Sequence, residues 1–160
     1  MKTKQRMIQL TMLLVLGAMP FVAIADEHPE LSAADEAYSA EKYEQAAALY
    51  RKDAELGVIA AQVNLAFMYL DGQGVAQDYK QALAWFQRAA NQGNVEAQQN
   101  VGMLYLEGKG VTKSLVEADK WFIIAGAKEN SVMVEKSMAR DQIADAQRLA
   151  SEWLKKAKGH

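Results

Sequence analysis

Two glycine-x-glycine turns, Gly72-Gln73-Gly74 and Gly108-Lys109-Gly110, come closest in this chain to a ligand-binding signature. Backbone N–H groups in such turns can cradle phosphate. A dinucleotide or nucleotide loop, however, also needs a preceding strand, a third glycine at the right spacing, or a following Lys-Ser/Thr. Neither turn has them, so both are read as helix terminators in which glycine supplies left-handed backbone. Histidine offers little chemistry. His28 lies near the start of the chain and His160 is its last residue, and neither position lets a packed scaffold hold a base or ligand in place. There is no cysteine, which excludes a disulfide framework and zinc sites of the Cys/His kind. Ser32, Ser39, Ser114, Ser131, Ser137 and Ser151 all lie outside a Gly-x-Ser-x-Gly nucleophile elbow. Ser32 reads as a helix N-cap, and Ser39 and Ser151 as solvent-facing. Asp71 and Glu107 precede the two turns at equivalent positions, and are expected to pair with neighbouring cations or else to meet a basic partner. No catalytic residue, metal site or cofactor is assigned.

The turns belong to a longer repeat. Residues 60–95 aligned on 96–131 share 13 identities at a period of 36, among them Ala61/Ala97, Gln62/Gln98, Asn64/Asn100, Tyr69/Tyr105, Gly74/Gly110, Trp85/Trp121 and Phe86/Phe122. A period of this size marks stacked supersecondary units, each unable to bury its apolar face alone. Their extended surface is usually the working part of such a solenoid, which points to recognition rather than catalysis.

Every segment of the repeat reads as helix. Ala61, Leu65, Ala66 and Tyr69 share one face of a helix over about 58–70, and Ala82, Trp85, Phe86 and Ala89 one face of a helix over about 78–91. The next unit repeats this with Ala97, Val101, Gly102 and Tyr105, then Ala118, Trp121, Phe122 and Ala125. The small residues at Ala66/Gly102 and Ala82/Ala118 suit close helix approach, with the aromatics filling wider gaps. A degenerate copy precedes both, since Ala46, Tyr50 and Gly57 fall 36 residues before Ala82, Phe86 and Gly93. Its first helix is expected at about 31–40, after a mobile acidic start at 26–30. After residue 131 the period breaks. A short helix at about 132–138 and a longer one with Ile143, Ala146, Leu149, Ala150 and Trp153 on one face read as a pair capping the solenoid.

Lys2, Lys4 and Arg6 followed by the apolar run at 7–22 and Ala23-Ile24-Ala25 have the pattern of a cleavable export signal. Removal of residues 1–25 would take the formal net charge from −2 to −5. That acidity argues against nucleic acid and anionic lipid as partners, and no membrane insertion is expected once the signal is gone. The domain reading is therefore 1–25 signal peptide, 26–57 degenerate first repeat, 58–93 and 94–130 full repeats, and 131–160 capping helices.

The run Ala61, Leu65, Ala66, Tyr69, Gly72, Gly74, Val75, Ala82, Trp85, Ala89, Ala90 and Gly93, with its second copy, resembles the Sel1-like repeat family, relatives of the tetratricopeptide repeats. Asp78 of the first full copy becomes Ser114 in the second, and Gly93 becomes Glu129, departures expected to loosen the last repeat's end. The resemblance implies an all-α solenoid of αα-hairpins that binds a protein or peptide, without catalysis, in an envelope or signalling complex. The expected compartment is the periplasm, with secretion beyond the cell also open. The related superhelices bind ligands on the concave face made by the first helix of each hairpin. Carried over by position, the candidate binding residues are Tyr38, Val63, Phe67, Leu70, Gln99, Met103 and Leu106. Two alternatives stand beside this reading: a self-associating homo-oligomer of the envelope, and a β-lactam-binding or hydrolytic enzyme like disulfide-rich relatives, whose cysteine framework this chain lacks.

Overall fold

The computed structural model describes residues 29–159, and the expected export signal, His28 and His160 lie outside them. Eight helices make up the described residues in chain order: α1 (Pro29–Ser39), α2 (Tyr43–Glu55), α3 (Ile59–Asp71), α4 (Tyr79–Asn91), α5 (Val95–Glu107), α6 (Leu115–Ile124), α7 (Lys128–Glu135) and α8 (Arg140–Lys158). Each of the first six packs on its neighbour in sequence, so three hairpins, α1–α2, α3–α4 and α5–α6, stack in line. α3 and α4 begin and end within one residue of the expected limits, because apolar periodicity, the Gly72 C-cap and the Asp78 N-cap act locally. Pro29 and Glu30, expected in a mobile start, are instead the first turn of α1, where proline's fixed φ suits a helix and its missing N–H costs nothing.

The core is built from the repeated small and aromatic positions. Ala46, Ala82 and Ala118 are fully buried, as are Phe86 and Phe122, and Tyr50 occupies the equivalent position in the first hairpin. Gly102 shows what the small residues do. A Cβ there would sit 2.7 Å from the Phe122 ring, so the small side chain makes room for the aromatic itself rather than for a helix backbone. Two buried glutamines tie successive hairpins together. Gln62 Nε2 donates to the Ala54 carbonyl and Gln98 Nε2 to the Ala90 carbonyl, both at 3.1 Å. Each adds a second donor to a carbonyl at the end of the preceding hairpin's second helix, which already accepts from a backbone N–H, that of Gly57 for Ala54 and that of Gly93 for Ala90.

The glycine-x-glycine turns divide their labour. Gly72 and Gly108 are left-handed C-caps with φ of 72°. Gly74 and Gly110 lie against the preceding hairpin: a Cβ on Gly74 would fall 2.2 Å from the carbonyl of Tyr43, and one on Gly110 2.4 Å from that of Tyr79. Asp78 then caps α4 by accepting from the Lys80 and Gln81 N–H groups, and Ser114 caps α6 by accepting from that of Glu117. The Asp78/Ser114 difference is thus an exchange of one good N-cap for another.

The end of the solenoid departs from expectation. Glu129 does not loosen the last repeat, because Gly126, with φ of 69°, has already ended α6. α7 consequently begins at Lys128, earlier than expected. α7 and α8 each pack on α6 rather than forming a hairpin together. α8 docks through fully buried Ala146 and Ala150 and through Trp153, whose ring meets Trp121 edge-on at 5.9 Å.

Substituting alanine at Gly74 or Gly110 should cost about 2 to 5 kcal/mol, since left-handed strain adds to a clash with main chain that cannot move aside. Gly93→Ala, where φ is 89° and nothing lies within 4 Å of the new Cβ, should cost only about 1 kcal/mol. Urea unfolding of the three variants measures the contrast.

Candidate functional site

The first helices α1, α3 and α5 present one continuous face of the stack. Two cavities open on it, and they are copies of one another. The first, of about 440 Å³, is lined by Asn64, Phe67, Met68 and Asp71 of α3 together with Asp35, Tyr38, Ser39 and Tyr50 of the hairpin before. The second, of about 360 Å³, is lined by Asn100, Met103, Leu104 and Glu107 of α5. Each of these four lies 36 residues after its counterpart on α3. Leu70, Asp71, Gln77, Tyr79 and Lys109 complete the second cavity. Asp71 lines both, so the two adjoin.

Of the residues expected on this face, Tyr38 and Phe67 fall in the first cavity and Leu70 and Met103 in the second. Phe67 is half-buried and meets Phe86 edge-on at 5.0 Å, so it supports the hairpin while showing one edge to the cavity. Val63 is corrected: it is buried in the core, at 5 % exposure, where α3 meets its neighbours. Gln99 is exposed but lines neither cavity, and Leu106 packs with the cluster of Ala118, Phe122 and Val134 under α6 and α7. Both share the helix face of Met103, so it is the neighbouring elements rather than register that set what each meets.

The polar members of the face were not foreseen as a set. Asp35 accepts a short hydrogen bond from the Tyr50 hydroxyl. Burial, and then the adjacent Asp35 carboxylate, push the Tyr50 phenol well above its ordinary range, while the Asn64 amide partly offsets this. Tyr50 therefore stays a neutral donor. Tyr38 donates to Gln73 Oε1 at 2.6 Å. Asn100 Nδ2 donates to the Glu96 carbonyl at 2.9 Å. The signal that could have found the set is the period itself, because Asn64/Asn100 and Asp35/Asp71/Glu107 recur at 36 residues on the first-helix face.

Other potentially reactive groups are placed differently. Ser39 and Lys42 have the Ser-x-x-Lys spacing of some acyl-transfer nucleophiles, but they flank the α1–α2 turn, both exposed, with no hydrogen bond between them. Ser131 is buried and donates to Asp119 Oδ1 at 2.6 Å, tying α7 to α6. Asp119 is fully buried and its Oδ2 has no partner. Among the described residues no three of His, Cys, Asp and Glu are grouped to hold a metal ion. No helix of the described residues is long and apolar enough to cross a membrane.

Stacked helical hairpins with a cavity-bearing face define a repeat scaffold. The chain carries two Sel1 repeats, for the Sel1 repeat family matches residues 59–94 and 95–130. A protective antigen present in uropathogenic Escherichia coli strains and displaying an SLR fold superposes on 83 % of this chain with a TM-score of 0.77 and 31 % identity. A Sel1 repeat protein from Oxalobacter formigenes superposes on 78 % with a TM-score of 0.56 and 30 % identity. This chain spans 31 % of the first protein and 54 % of the second. None of the curated proteins compared with the chain matches it.

Asp119 makes stability depend on pH. Burial raises its pKa, the Ser131 hydrogen bond partly lowers it, and Glu135 raises it further. A carboxyl whose folded pKa lies above its unfolded value stabilises the fold while protonated, and that contribution is lost as pH rises from the unfolded value through the folded one. Asp119→Asn should remove this slope. Melting temperatures of both proteins from about pH 4 to about pH 8 should show the variant gaining on the wild type as pH rises.

Proposed function

We propose that this protein is an exported, non-catalytic interaction module that holds a protein or peptide partner along the face of α1, α3 and α5. Sel1-like repeat proteins are generally protein–protein interaction modules. The observation that carries the reading further is the pair of repeat-related cavities sharing Asp71. A scaffold that repeats its surface chemistry as well as its core offers successive subsites to an extended ligand. Rigid stacked hairpins also present those subsites preformed, which lowers the entropic cost of association. Residues 1–25 support export, and the periplasm is the proposed compartment.

α7 offers the competing surface, since Val132 and Met133 are half-exposed at 53 % and 50 %. Affinity capture from an envelope extract of the source organism distinguishes the two. The retained partner should be lost with Leu70→Ala plus Met103→Ala and kept with Val132→Asp plus Met133→Asp, each variant first shown by circular dichroism to remain helical. The opposite pattern would move the binding surface to α7. Turnover by the purified protein in a hydrolase screen, abolished by one polar substitution, would contradict the non-catalytic reading.

A further inference from the structure

We infer that the cavity between the first hairpin and α3 receives a cationic side chain, lysine or arginine, from a partner segment. The inference rests on the first-helix face being the binding surface and names what that face recognises.

The molecule binds a cation of its own at the equivalent place one repeat later. Lys109 Nζ lies 2.8 Å from Glu107 Oε2 and 5.5 Å from the centre of the Tyr79 ring. The ammonium is thus held between a carboxylate and an aromatic face, two groups that each favour positive charge. Moving back 36 residues, Glu107 becomes Asp71, Tyr79 becomes Tyr43, and Lys109 becomes Gln73. The two turns sit alike, for Gly110 rests on the Tyr79 backbone as Gly74 rests on that of Tyr43. The carboxylate and the ring are therefore kept while the resident cation is missing.

The surroundings strengthen the match. Gln73 accepts from the Tyr38 hydroxyl, and the Tyr38 ring stands edge-on to that of Tyr43 at 5.2 Å, which brings a second aromatic to the place. Asp71 is exposed and makes no ion pair or hydrogen bond among the described residues. Asp35 adds another carboxylate to the same cavity, which no lysine or arginine of the described residues lines. Charge and ring chemistry both select a cation and oppose an acidic segment. The Leu70 and Met103 edge of the adjoining cavity suits an apolar side chain beside it.

Fluorescence polarisation with two short labelled peptides, one alternating arginine and leucine and the other with glutamate in place of arginine, tests the assignment. The arginine peptide should bind and the glutamate peptide should not. Asp71→Asn should weaken binding about tenfold. Gln73→Lys should weaken it at least as much by supplying the ammonium that the next repeat already carries, a turn the fold tolerates at Lys109. Glu55→Gln, an equal change of charge at an exposed site on α2, should leave binding unchanged. Failure of the wild type to bind the arginine peptide, or equal binding of the glutamate peptide, overturns the proposal. Indifference to Asp71→Asn and Gln73→Lys, or an equal loss with Glu55→Gln, does so too. If those two charge variants leave the natural partner bound while Leu70→Ala plus Met103→Ala releases it, the face stands as the binding surface and the cation assignment falls. Sedimentation of the protein alone that shows a dimer lost in Asp71→Asn would make a second copy the occupant and overturn the assignment to a separate partner.

Discussion

The approach of one hairpin's turn onto the main chain of the hairpin before it sets the geometry of the molecule. At Gly74 and Gly110 two backbones meet so closely that no side-chain carbon fits between them. The contact fixes how far each hairpin stands from the last and how it is turned. The buried Gln62 and Gln98 amides reinforce the spacing from the other end of the helices, each reaching the last turn of the preceding hairpin. A pair of buried polar groups is tolerated here because both are satisfied, and an unsatisfied one would cost about 1 to 3 kcal/mol. Tyr69 and Tyr105 add a further link, their hydroxyls accepting from Arg51 and Gln87 of the preceding hairpin.

Because the spacing is repeated, the surface is repeated as well. The same four positions of α3 and α5 open onto adjoining cavities, and the carboxylate series of Asp35, Asp71 and Glu107 runs from one hairpin to the next. Differences between the copies then carry the specificity. Lys109 occupies its own carboxylate and ring, whereas Gln73 leaves Asp71 without an internal counterpart. Tyr50 in place of Phe86 and Phe122 brings a hydroxyl to the groove without giving up the core position.

The sequence made much of the fold legible. A 36-residue period, alternating small and aromatic positions and glycine turns were sufficient to place α3 to α6, because caps and apolar stripes act locally. The site was legible only in part. Tyr38, Phe67, Leu70 and Met103 line the two cavities, but Val63, one turn before Phe67, is claimed by the core. A helix register gives the direction of a side chain, and only the neighbouring hairpin decides whether that direction is open. An ion pair of Glu107 with a neighbouring cation was expected, and Lys109 supplies it, but the Tyr79 ring beside that ammonium was hidden, since the contact depends on a turn lying over a helix start thirty residues earlier. The ending was misread at Glu129, because the stop had moved to Gly126 and left α7 and α8 to find α6 separately.

The most direct test of the central claim, that the first-helix face is where this scaffold meets its partner, is an NMR titration of the labelled protein with the partner it captures. Asn64 and Asn100 line the two cavities at equivalent positions of the repeat, so their side-chain amides should shift together, with the α8 amides unmoved. Shifts confined to Val132, Met133 and their neighbours on α7, with both asparagine amides still, would contradict the account.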